Sequence, residues 1–153
     1  AMQVMNGVYG GDVTSKLFQN VREKQSLCYS IGSSYYSAKG VVLVSAGIDF
    51  DQEPHTREEI LRQLELCRRG EISDTELLSA KEALISALRG VYDTPSSIES
   101  YDSAMELGGS GLTPDAHMRA LEAVTREDVV NCAKRLLLHS TYFLEGGSSH
   151  EAD

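Results

Sequence analysis

Arg22 and Tyr29 are the two side chains in this sequence best suited to holding another molecule, because they stand where an amphipathic helix runs directly into a strand. The stretch from Ser15 to Ser30 puts Arg22 near a helix end and Tyr29 early in the strand. A guanidinium offers a fixed fork of N–H donors and a phenol an O–H, a combination that can hold peptide carbonyl oxygens or a developing oxyanion. The same two residues also have an ordinary structural reading. Arg22 can pair with a local carboxylate, and Tyr29 can pack as a half-buried strand aromatic.

Other residue groups carry less chemistry. His55-Thr56-Arg57-Glu58-Glu59 approaches the His-x-x-Glu-His arrangement of an inverted zinc site, but Glu59 stands where the second imidazole belongs. One His with one Glu cannot close such a site, so these residues read as the solvated first turn of a helix, with the acids complementing its dipole. His117, His139 and His150 are isolated. Gly10-Gly11 lacks the complete glycine pattern of a phosphate loop and reads as a turn between helices. Cys28 lies beside Tyr29 with no nearby His and reads as a small half-buried apolar residue, and there is no GxSxG motif.

The elements that must position Arg22 and Tyr29 follow from hydrophobic periodicity. Residues 1–9 read as a short helix broken at Gly10-Gly11, and a second helix runs from about Val13 to Lys24 with Leu17, Phe18 and Val21 on one face. From Leu27 the period becomes two: Tyr29, Ile31, Ser33 and Tyr35 share a strand face. Val41 to Ile48 makes the second strand of a hairpin across Ser37-Ala38-Lys39-Gly40. Pro54 opens a helix that Arg68-Arg69-Gly70 closes, and Ser73-Asp74-Thr75-Glu76 is a capping box for what should be the longest helix. Helices also begin near Ser96, at Thr113-Pro114 and at Thr125, the last expected to bury Val129, Val130, Ala133, Leu136 and Leu137. Thr141-Tyr142-Phe143-Leu144 reads as a further strand that should join the hairpin. Without strict alternation of strand and helix the class is α+β, an antiparallel sheet with helices packed on one face.

A length of 153 residues allows about one domain, and 41% hydrophobic residues suffice for a core. The net charge of −9, with no basic run, sets nucleic acid aside. No stretch approaches the roughly 20 apolar residues of a membrane span, so no membrane is expected. Three scattered cysteines, forming no CxxC pair, fit a cytoplasmic setting. The apolar start looks like a helix already under way, as in a fragment of a longer protein, and 146–153 is expected to be a disordered tail.

Gly10-Gly11, Ser15-Lys16-Leu17-Phe18, Val21-Arg22-Glu23-Lys24 and Leu27-Cys28-Tyr29 together resemble the second signature of the pitrilysin/insulinase metallopeptidases, the inverzincins. The likeness is closest to the short bacterial processing-protease-like subunits, and it extends from the first helix to Leu144. In that signature an Arg and a Tyr seven residues apart bind the substrate backbone from the half opposite the zinc, and 22 and 29 keep the spacing. The resemblance implies that residues 1–145 are a C-terminal, substrate-binding half-domain with Arg22 and Tyr29 as its site. It implies no catalytic residue, metal ligand or cofactor in this fragment, since the HxxEH helix belongs to the other half. Zinc would then come from the complete enzyme or a partner subunit, and the partners would be a peptide or small-protein substrate and an HxxEH-bearing half, in a homo- or heterodimer. A structural or protein-interaction subunit with this fold and no proteolysis is the alternative.

Overall fold

Strands β1 (Ser30–Tyr36) and β2 (Val41–Gly47) pair antiparallel, with Ser30 opposite Gly47 and Tyr36 opposite Val41. Alternation along them turns Ile31, Val42, Val44 and Ala46 towards the core and leaves Tyr36, Val41 and Leu43 exposed on the other face. The computed structural model describes residues 1–145; the expected tail, 146–153, lies outside the described residues.

Helix α1 (Met2–Asn6) continues as a wide π-type turn over Gly7–Gly11. It is the centre of the domain: Val4, Met5, Val8 and Tyr9 are buried between the sheet and the outer helices. Around it pack α2 (Glu53–Arg69), α3 (Asp74–Arg89) and α6 (Arg126–Arg135), with α5 (Pro114–Glu122) against α3 and α4 (Pro95–Leu107) at the periphery. The end signals in the sequence operate as local chemistry requires. Gly70 closes α2 at φ +77°, a left-handed conformation that glycine adopts without steric cost. The capping box forms in both directions, with Ser73 N–H donating to Glu76 Oε2 at 2.7 Å and Glu76 N–H to Ser73 Oγ at 3.1 Å. Thr94, Thr113 and Thr125 each cap the next helix. At 16 residues α3 is one shorter than α2, so the expectation that it is the longest fails.

Two further expectations fail at the end of the chain. Leu137 is 84% exposed rather than buried, because α6 stops at Arg135 and the helical spacing does not reach it. Residues 141–144 do not join the sheet, which has two strands among the described residues. Their composition favours a strand, but a strand needs an edge to pair with. The exit from α6 is instead tied to α2, where Arg68 donates to the carbonyls of Ala133 and Leu136. Phe143 touches down on Phe50, with ring centroids 5.9 Å apart. No helix among the described residues is long and apolar enough to cross a membrane.

Candidate functional site

Arg22 stands on the π-helical segment Leu17–Glu23, shorter and wider than the helix expected from Val13 to Lys24. Lys24 N–H reaches back five residues to the Gln19 carbonyl and Leu27 N–H six to that of Val21. The turn between them passes through Ser26 at φ +52°. Leu17 and Val21 anchor one side of this segment in the core. Polar bonds anchor the rest: Lys16 pairs with Glu76 at 2.9 Å, and Asn20 Nδ2 donates to Gln63 Oε1 at 2.8 Å. Gly10 sits where this segment, β1 and the extension of α1 converge. A Cβ there would lie 2.6 Å from Ser33 Oγ and 2.7 Å from Leu17 Cδ1. The glycine therefore serves close packing, in keeping with the turn expected from the sequence.

The segment brings Arg22 and Tyr29 together. Arg22 Nε donates to the Tyr29 carbonyl at 2.9 Å, Nη1 donates to Glu23 at 3.1 Å, and the guanidinium lies 4.6 Å above the Phe18 ring. Arg22 does pair with a local carboxylate, but Nη2 has no hydrogen bond to protein among the described residues. Tyr29 is not half-buried; it is 67% exposed. Its N–H extends the ladder by donating to the Gly47 carbonyl at 2.8 Å, and its hydroxyl donates to Asp49 Oδ1 at 2.6 Å. That hydrogen bond and the charge of Asp49 hold the phenol above its ordinary pKa. Arg22, Glu23, Leu27, Cys28, Tyr29 and Asp49 line an open cleft of about 430 Å³. Burial raises the Cys28 thiol pKa against the opposing pull of Arg22, so the thiol is not primed as a nucleophile.

Sequence reasoning missed Asp49. The signal available was hairpin register: with Ser30 opposite Gly47, residue 49 falls just beyond the point opposite Tyr29.

His55, Glu58 and Glu59 gather no metal site. Burial favours the neutral form of Glu59, but Arg62, with two bonds of 2.7 Å, and Gln63 outweigh it and lower its pKa. Its oxygens are thus already taken. No three His, Cys, Asp or Glu side chains converge among the described residues, so this part of the chain does not fit a zinc ion. His117 has Tyr101 at 3.1 Å on Nδ1 and Gln3 at 2.8 Å on Nε2.

Residues 1–84, more than half of the chain, match the family model described as the peptidase M16 inactive domain. The chain belongs to the peptidase M16 family. The "Probable inactive metalloprotease YmfF" of Bacillus subtilis is 30% identical to it over 95% of the chain and 34% of the relative. The "Uncharacterized zinc protease YmxG" of the same organism is 33% identical over 87% of the chain and 33% of the relative. The crystal structure of a conserved protein from Enterococcus faecalis V583 superimposes with a TM-score of 0.82 at 32% identity, covering 88% of this chain and 32% of that one. A protease from Helicobacter pylori shares the fold, with a TM-score of 0.75 at 15% identity over 87% of this chain and 33% of that one. This M16 segment thus spans about a third of the length of the relatives it matches. The α+β class and the metallopeptidase resemblance both agree with these findings.

Proposed function

We propose that residues 1–145 form the C-terminal, substrate-binding half of a zinc-dependent endopeptidase system and hold an extended peptide by its backbone through Arg22 and Tyr29. One observation carries the reading: the Arg22 guanidinium is bonded to the main-chain carbonyl of Tyr29, and both residues line one open cleft in a chain matched to the inactive M16 domain. Backbone contacts of this kind select for extension rather than sequence, which suits a peptidase acting on varied substrates. Zinc and its glutamate base come from an HxxEH-bearing half or a partner subunit in a homo- or heterodimer. The chemistry that metal supplies is activation of the attacking water; this half binds and orients. Three free cysteines support a reducing, cytoplasmic setting.

The test is cleavage of an unfolded protein such as β-casein by the full-length protein with its HxxEH-bearing half. Arg22→Ala should cut kcat/KM by roughly tenfold or more, and Tyr29→Phe by less, as expected for a charge-assisted and a neutral hydrogen bond. Both variants should remain folded, with Arg22→Ala melting somewhat lower for the loss of its bond to the Tyr29 carbonyl. Unchanged turnover in both would overturn the role. Elemental analysis of the full-length protein then locates the metal. About one zinc per chain puts both halves in one polypeptide, and none makes the protein either the Arg/Tyr partner of a separate catalytic subunit or a non-enzymatic relative.

The name of the B. subtilis relative, a probable inactive metalloprotease, favours a second reading. In it the fold serves assembly and cleaves nothing, and zinc-free full-length protein in a stable complex without turnover would support it.

A further inference from the structure

Tyr29 has one hydroxyl hydrogen, and Asp49 already holds it. With Oη 2.6 Å from Asp49 Oδ1, only the phenol can donate while the carboxylate is ionised. A charge-assisted O–H···O⁻ bond is about twice as strong as one to a neutral carbonyl, so a peptide C=O competes poorly for that hydrogen. Towards the cleft the phenol oxygen therefore presents lone pairs.

Asp49 is fixed for this contact from both sides. Its carbonyl accepts Gln52 N–H at 3.0 Å, closing the tight turn Phe50–Gln52, and the ladder bond from Tyr29 N–H to the Gly47 carbonyl sets the distance between the two chains. Phe143 packs on Phe50 and braces the same turn. Arg22 has the opposite polarity, since a guanidinium carries donors only.

We propose that Asp49 is a positioning residue that makes Tyr29 a hydrogen-bond acceptor, so that the cleft grips an extended peptide by one N–H, taken by Tyr29 Oη, and one C=O, taken by Arg22. This rests on the reading that the pair holds peptide backbone, and it replaces two donors reaching for carbonyl oxygens. An extended chain offers both N–H and C=O groups along each edge. A wall carrying one acceptor and one donor matches that edge and excludes chains that offer carbonyls alone.

The test uses the full-length protein, a fluorescein-labelled decapeptide of Ser, Thr and Val, and analogues in which one backbone N–H at a time is replaced by an ester oxygen. In the unmodified protein one ester position should weaken binding by roughly three- to tenfold, the loss of a single hydrogen bond. Asp49→Ala frees the hydroxyl to rotate and donate, so the penalty at that position should fall below about twofold. Asp49→Asn, which keeps a neutral acceptor, should fall between, and Tyr29→Phe should abolish the penalty. A penalty as large in Asp49→Ala as in the unmodified protein overturns the proposal. So does the absence of any ester-sensitive position when Tyr29→Phe weakens binding of the all-amide peptide.

If Arg22→Ala and Tyr29→Phe both leave the all-amide peptide unaffected, the Arg/Tyr reading itself fails and takes this proposal with it. An NMR titration of ¹³Cζ-labelled tyrosine supplies a readout that a general loss of structure would not give. Asp49→Ala should lower the Tyr29 pKa with the melting curve unchanged; an unmoved titration shows that Asp49 does not hold the phenol.

Discussion

Replacing Glu76 by Gln tests how the Arg22 segment is fastened to the helical layer. Glu76 has two tasks. Its Oε2 accepts from Ser73 N–H in the capping box of α3, and its Oε1 pairs with Lys16 Nζ at 2.9 Å. Lys16, immediately before the π-helical segment, is 5% exposed, so its ammonium has little water to fall back on. Glutamine can still serve the capping box, which isolates the ion pair. Stranding one charge of a fully buried pair costs about 3–5 kcal/mol. The Glu76 side chain retains 22% exposure and water screens part of the loss, so about 2–3 kcal/mol is expected here.

The pH dependence of that loss is a second check. Burial alone would raise the Glu76 pKa, but the Lys16 ammonium and the Ser73 hydrogen bonds outweigh it and hold the carboxyl below its ordinary value of 4.5. A carboxylate depressed in the folded state contributes stability that is present above its unfolded pKa and lost as pH falls through the folded one. In urea unfolding, the gap between Glu76→Gln and the unmodified protein should therefore be full at pH 7 and shrink below pH 4.5. Lys16→Met keeps the apolar stem but leaves the Glu76 carboxylate without its partner. Since that carboxylate is 22% exposed and still bonded to Ser73, the loss should be about 1–2 kcal/mol, smaller than for Glu76→Gln. A Glu76→Gln loss under about 0.5 kcal/mol, or a gap that ignores pH, would refute the reasoning.

Two further outcomes follow from the backbone around the site. Gly10→Ala should destabilise by about 1–3 kcal/mol, since its Cβ meets Ser33 and Leu17 inside contact distance, and thermal unfolding checks it. Ser26→Gly should stabilise by up to about 1 kcal/mol, because Ser26 occupies the left-handed region at φ +52°, where a side chain is strained. The flexibility glycine adds to the unfolded chain offsets part of that gain. A lower Tm for Ser26→Gly would show that the serine side chain makes a compensating contact.

What the sequence by itself determined is what depends on neighbours along the chain. The capping box at Ser73, the helix start at Thr125, the glycine end of α2, the hairpin turn and the seven-residue spacing of Arg22 and Tyr29 are all local, and a few residues suffice to specify each. The resemblance to the metallopeptidases rests on such a short run, and the family match agrees with it. Tertiary structure decided where those pieces meet. Composition favoured a strand at Thr141-Tyr142-Phe143-Leu144, but pairing needs an aligned edge, and only packing decides whether one is offered. The widened turn at Leu17–Glu23, with Lys16 buried against Glu76, depends on an anchor 60 residues away in sequence that helical periodicity cannot register. Tyr29 was legible as a phenol at the start of the hairpin, and it stands one residue before β1. That its hydrogen is already given to Asp49, across the hairpin, follows from register and turn geometry, so the polarity of the site belongs to the fold.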